Sequence, residues 1–271
     1  MSARLRPTGI DLLWALLSAS LLPALGAAAD HSERVFVACP VYRDTNAGRK
    51  SGCWLATDEA SGIRYDVSPS RTKPQHGHEI LVEGRRSGSN AADPGGGSPC
   101  GGVTLEPVVV SVLDSLCPSH TIPAEGYPGR RFRVDPRLVL QPADVPESLP
   151  PPPYGPRDWH IEFAYRSDFL QYQYSEVILD EIGRYVRASH PRAVTVTGYA
   201  VTAARDVSEH RLEEPRELAR SRAALVALAL ERLGTPPAVL QVRVGDNPEP
   251  LAGADELTEP SRRRVDVHLS Y

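Results

Sequence analysis

The residues of this sequence best able to do chemistry are its four cysteines, Cys39, Cys53, Cys100 and Cys117. All lie before residue 118, and an even number in an exported chain points to two disulfides, with three pairings open. A zinc site is the weaker alternative, because the spacings are long and contain no C-x-x-C. His76-Gly77-His78 places two imidazoles close enough to face one ion, but no third ligand is in view; the segment reads as a polar turn, and no metal is expected. The adjacent acids Glu213 and Glu214 sit at a helix start, where the dipole favours them. There is no G-x-S-x-G elbow, P-loop, H-E-x-x-H or dinucleotide fingerprint. Sulfurs locked in disulfides offer no thiolate. These residues predict no enzyme and no cofactor, and leave binding or assembly as the function.

The amino terminus predicts export. Arg4 and Arg6 precede a mostly apolar run, Leu12–Leu25, and Gly26–Ala29 supplies small residues, with Ala27 and Ala29 fitting a cleavage site. The run is shorter than the roughly 20 residues that span a bilayer. Residues 1–29 therefore read as a signal peptide, and no later segment is long and apolar enough to be a transmembrane span. The chain of 271 residues carries a net charge of −4. Such an acidic balance argues against nucleic acid, whose binders present a basic face.

Proline divides the rest. Gln141–Asp158 reads QPADVPESLPPPPYGPRD, and its Pro150–Pro153 run can neither pair in a sheet nor continue a helix. Residues 141–158 are expected to be an extended, semi-rigid linker between two domains. Residues 30–140 contain short β-type runs at Arg34–Ala38, Cys53–Leu55, Ile63–Val67, Glu79–Glu83 and Thr104–Leu113. Five or six short strands in this length suggest a small disulfide-stapled barrel, since closure removes exposed edges. Its strand rhythm resembles an OB-type barrel. Ser87–Gly102, rich in glycine, reads as a flexible loop tied down at Cys100.

Residues 159–271 have a different rhythm. A strand at His160–Tyr165 alternates, and a helix over Gln171–Ser189 carries Tyr174, Ile178, Ile182, Tyr185 and Val186 at helical spacing. A strand follows at Ala193–Thr197. The second helix, Glu213–Leu233, is expected to bury Leu218, Leu225, Leu228 and Ala229, and Gly234 closes it. Strands at Val239–Val244 and Val265–Leu269 complete a β-α-β-α-β-β order, with both helices on one face of a mixed sheet. The fold class is α+β.

Three pieces of this half carry a resemblance. VTVTG ends at Gly198, LARSRA runs from Leu218 to Ala223, and RRRVDVHL runs from Arg262 to Leu269. In order and spacing they resemble the OmpA-like peptidoglycan-binding domain, which shows G-H-T-D, then N-x-x-L-S-x-x-R-A, then N-R-R-V. The resemblance implies that Arg222, at the matching arginine, grips the carboxylate of diaminopimelate in the peptidoglycan stem peptide. A planar guanidinium does this through two charge-assisted bonds. Arg263 and Arg264 match N-R-R-V and would line the same groove or pair with acidic neighbours. The family's aspartate is missing: Gly198 is followed by Tyr199, Ala200 and Val201. Asp206 or Glu209, in a lengthened TAARDVSEH loop expected to be mobile, would have to meet the ligand's ammonium.

The expected function is non-enzymatic attachment to peptidoglycan in the bacterial envelope. The mature chain would occupy the periplasm, free or held near the outer membrane, with the N-terminal domain reaching a second envelope partner. The alternative is a protein–protein adaptor whose OmpA-like domain has lost its ligand. A third reading makes the N-terminal barrel a glycan binder, with Trp54 and Tyr65 as stacking residues.

Overall fold

The computed structural model describes residues 32–44, 52–87, 100–124, 148–253 and 256–271. The segment expected to be a signal peptide, most of the glycine-rich loop and the first part of the proline segment lie outside these residues.

The N-terminal domain is a seven-stranded sheet of β1 (Glu33–Ala38), β2 (Val41–Arg43), β3 (Cys53–Asp58), β4 (Ile63–Asp66), β5 (His78–Arg86), β6 (Val103–Leu116) and β7 (His120–Ile122). Its order is β1-β5-β6-β4-β3-β2-β7. The short β2 and β7 are additions to the predicted strands. A closed OB-like barrel is expected from the sequence; among the described residues no ladder joins β1 to β7. The edge is instead covered. Val37, on β1, donates its N–H to Ser208 Oγ of the other domain at 3.1 Å, a tie that gives an exposed donor a partner without closure.

Alternation along β5 explains why that domain sits there. Ile80 and Val82 point into the N-terminal core with Phe36, Tyr65, Leu105 and Val110. Leu81 points the other way, into a cluster with Val37 and Leu113 of its own domain and Tyr165, Val207 and Leu212 of the C-terminal domain. Both faces of β5 are thus dry at its centre, which is why Ile80, Leu81 and Val82 are all apolar where one exposed face would call for alternation. The domains are docked, not held apart by the proline segment. The described end of that segment also packs down, with the Tyr154 ring edge-on to Tyr185 at 5.8 Å.

The C-terminal domain contains β8 (Arg157–Glu162), α1 (Tyr174–Ser189), β9 (Ala193–Gly198), β10 (Arg205–Val207), β11 (His210–Leu212), α2 (Glu217–Arg232), β12 (Leu240–Val244) and β13 (Arg264–Ser270). The four-stranded sheet runs β12-β9-β13-β8, parallel between β12 and β9 and antiparallel elsewhere. Ile161, Val194, Val196, Val265, Val267 and Leu269 face Leu179, Ile182, Val226 and Leu230 of the two helices. This is the predicted order with a hairpin, β10–β11, inserted before α2. The TAARDVSEH stretch expected to be mobile is this hairpin.

Two faces differ from expectation. The buried side of α2 is Ala219, Arg222, Ala223, Val226, Ala227 and Leu230, while Leu228 is 42% exposed. Small residues win this face because α2 lies almost on the backbone of β9. On the edge strand β12, Leu240 packs against the core, but Val242 and Val244 remain partly open.

The cysteines follow the sheet order. Cys53 and Cys100 form a disulfide with a Cα–Cα separation of 5.7 Å. Cys39 and Cys117 are thiols rather than the second expected bridge. Parallel pairing of Val41 with His120 brings the turns that hold them together. Burial, then the hydrogen bond and charge of Cys39, push the Cys117 thiol up to about 12. Peptide mapping of unreduced protein is expected to recover a Cys53–Cys100 crosslink. A peptide joining Cys53 to Cys39 or Cys117 would contradict this strand order.

Candidate functional site

Arg222 sits in the second turn of α2, on the face turned towards the sheet. A guanidinium there must be neutralised and fully hydrogen-bonded, because burying an unpaired charge costs several kcal/mol. All five of its N–H groups have acceptors. Nε donates to Ser167 O at 2.8 Å, and Nη1 donates to Tyr199 O at 2.9 Å and to Glu214 Oε2 at 2.9 Å. Nη2 donates to Glu214 Oε1 at 2.6 Å and to Ala164 O at 3.3 Å. The Phe163 ring lies 5.2 Å away.

Glu214 is equally complete. Beside the two Arg222 bonds, Oε1 accepts from Arg166 N and Oε2 from Val201 N, both at 2.9 Å. Burial works against its charge, but the hydrogen bonds and charge of Arg222 outweigh it and hold the carboxyl below the usual glutamate range. Both side chains are 0% exposed. Arg222 does hold a carboxylate through two charge-assisted bonds, and that carboxylate belongs to its own chain.

The other predicted site residues go elsewhere. Asp206 is exposed on β10 and Glu209 on the hairpin turn, so neither faces Arg222. Val201, at the position of the absent aspartate, is buried and binds Glu214 through both its backbone groups. Gly198 is a packing residue: a Cβ there would stand 2.0 Å from Ala219 O and 2.9 Å from Ala223 Cβ, which is what lets α2 approach β9 so closely. Arg263 crosses the domain boundary to pair with Glu83 on β5, both almost fully buried. Arg264 donates to Asp266 Oδ1 at 2.7 Å and to the carbonyls of Ser261 and Glu249 at 2.6 and 3.0 Å, pinning the chain before β13. Arg222, Arg263 and Arg264 are thus all buried and paired within the described residues.

In the N-terminal domain Tyr65 is fully buried and has no face for a sugar. Trp54 is half-buried in a cluster with Tyr42 and His76, at centroid distances of 5.0 and 4.8 Å. His78 Nδ1 lies 3.0 Å from Leu113 O. The two imidazoles thus serve a ring cluster and a backbone contact. Among the described residues no group of three or more metal-ligating side chains forms.

Glu214 and Glu83 are not among the site residues expected from the sequence. The sequence places Glu214 at the helix dipole, although an unmatched arginine and a missing aspartate call for another acid. Glu83 shares a strand face with Leu81, and an acid on an apolar face is itself a signal of a buried cation.

Comparisons with known proteins find partial structural likenesses. No family model matches the sequence, and no curated protein matches it. Among solved structures, similar chains include the OmpA-like domain of FopA1 from Francisella tularensis, at 20% identity over 42% of this chain and 71% of that one, with a TM-score of 0.34. The periplasmic domain of MotB from Helicobacter pylori has 21% identity, coverage of 42% and 81%, and a TM-score of 0.34. The peptidoglycan-associated lipoprotein from Burkholderia pseudomallei has 25% identity, coverage of 41% and 89%, and a TM-score of 0.32. What this chain's own site can hold rests on the geometry above.

Glu214→Ala is expected to destabilise the protein by about 3–5 kcal/mol, because it strands a buried guanidinium; chemical denaturation would measure this. Gly198→Ala should lose roughly 1–3 kcal/mol in the same experiment, since α2 must retreat from β9. A pH effect comes from Glu162, at the end of β8. Burial, then the hydrogen bond and charge of Glu256, push it from 4.5 to about 7, while Arg71 and Arg263 pull the other way. A raised folded value means its contribution is complete below 4.5 and lost as pH rises through about 7. Melting temperature should therefore fall across that range, and Glu162→Gln should flatten the fall.

Proposed function

We propose that this chain is a non-enzymatic protein of the bacterial cell envelope that attaches to peptidoglycan through its C-terminal domain, with Arg222 as the receptor for a stem-peptide carboxylate. The observation that carries this reading is the bidentate grip of Arg222 on a carboxylate in a pocket built from Ala164, Ser167, Tyr199 and Val201. In the described conformation Glu214 stands in for the ligand's carboxylate. A wall peptide must exchange with it, one carboxylate for another, which leaves the buried guanidinium paired throughout. The ligand class is an amino-acid end bearing a free carboxylate, as diaminopimelate does.

The signal-peptide pattern at residues 1–29 and the Cys53–Cys100 disulfide support an oxidising compartment outside the cytoplasm. Among the described residues no helix is long and apolar enough to cross a membrane. The chain would then occupy the periplasm.

A second reading, a protein–protein adaptor, is favoured by one observation: every N–H of Arg222 already has a partner within the chain. In that case the pair is purely structural.

Co-sedimentation of residues 30–271 with insoluble diaminopimelate-type peptidoglycan separates the two. Attachment predicts that protein pellets with the wall, is displaced by free diaminopimelate, and pellets more when Glu214→Gln weakens the internal competitor. Protein that stays in the supernatant in both forms assigns the domain to the adaptor role.

A further inference from the structure

The hairpin that contacts the N-terminal domain is the same segment that delivers Glu214. β11 ends at Leu212, so a single residue, Glu213, separates the hairpin from the carboxylate in the Arg222 pocket. The hairpin is gripped from the other domain at several points. Arg205 Nη2 lies 2.5 Å from Glu83 Oε1, and His210 Nε2 lies 3.3 Å from Glu79 Oε2. Ser208 Oγ accepts from Val37 N, and Val207 and Leu212 bury themselves against Val37, Leu81 and Leu113.

The opposite wall of the pocket is tied down as well. Tyr165 donates its backbone N–H to Ser111 Oγ on β6 at 2.8 Å. Its hydroxyl brackets Glu213, donating to Glu213 O at 2.9 Å and accepting from Glu213 N at 3.0 Å. Ala164 and Ser167, whose carbonyls bind Arg222, flank Tyr165 in the same loop. Both the segment that supplies the carboxylate and the loop that frames the pocket are therefore anchored to the N-terminal sheet.

We propose that docking of the N-terminal domain on the β10–β11 hairpin is an autoinhibitory contact that holds Glu214 in the Arg222 pocket, so that domain docking and capture of an external carboxylate exclude one another. This rests on the peptidoglycan reading above. One element is shared by two sites, and each site favours a different position of it; coupling of this kind is reciprocal. A partner that takes the N-terminal sheet face of Val37, Leu81 and Glu83 would free the hairpin and open the pocket. A wall peptide that displaces Glu214 would in turn loosen the domain interface. The N-terminal domain then acts as a sensor, and attachment follows its release.

The test is binding of free diaminopimelate to residues 30–271 by calorimetry, comparing wild type, Glu214→Gln and the double variant Arg205→Ala, Val207→Asp. The double variant removes docking contacts and leaves Arg222 and Glu214 in place. It is expected to bind about tenfold more tightly than wild type, in the range of ordinary coupling energies, as is Glu214→Gln. Hydrogen exchange on the wild type supplies a check that needs no variant: diaminopimelate should speed exchange at residues 205–212 and at Val37. If Glu214→Gln binds but the double variant is no tighter than wild type, and ligand leaves exchange at Val37 unchanged, the pocket reading stands and the coupling is overturned. If no form binds, the peptidoglycan reading fails and the coupling falls with it.

Discussion

A guanidinium buried on the sheet-facing side of α2 governs the architecture around it. Arg222 cannot sit between helix and sheet unless five acceptors and one negative charge converge on it. Three chain segments supply them: the loop after β8 through Ala164 and Ser167, the end of β9 through Tyr199, and the approach to α2 through Glu214. The longer connection between β9 and α2 reflects that demand. It leaves the sheet after Gly198, goes out as a hairpin, and returns so that Glu214 meets the N–H of Val201 and the guanidinium together. Arg222 and Glu214 are placed by one another, and the segments on either side follow.

A second buried pair does the same work between domains. Glu83 lies on the face of β5 that looks away from its own core, beside Leu81. Alone it would keep that face wet. With Arg263 paired to it and Arg205 at 2.5 Å, the surrounding apolar residues can close over the contact. The open edge of β1 is covered in the same step through Ser208. Docking thus handles the unpaired strand edge and the buried acid with one set of C-terminal residues.

The arrangement makes the two domains energetically inseparable near the pocket. Tyr165 contributes its ring to the interface cluster, its backbone N–H to Ser111 and its hydroxyl to Glu213. Loss of interface packing therefore reaches the pocket through covalent neighbours within a few residues, without any long chain of contacts.

Periodicity made most of the C-terminal fold legible. Val194, Val196, Val265, Val267 and Leu269 are buried as their alternation requires, and both helices lie within a few residues of their apolar spacing. Arg222 stood out through a short ordered motif. What the sequence by itself determined was local: which segments are strands or helices, where proline interrupts them, and that Arg222 needs a carboxylate. Only the tertiary structure decided which one. The carboxylate expected for Arg222 is the ligand's, with Asp206 or Glu209 for its ammonium; that Glu214 takes the place instead depends on the path of the hairpin, set by contacts with strands more than a hundred residues away. The same holds for Glu83 with Arg263 and for Cys53 with Cys100, because pairing partners are fixed by which strands come to lie together.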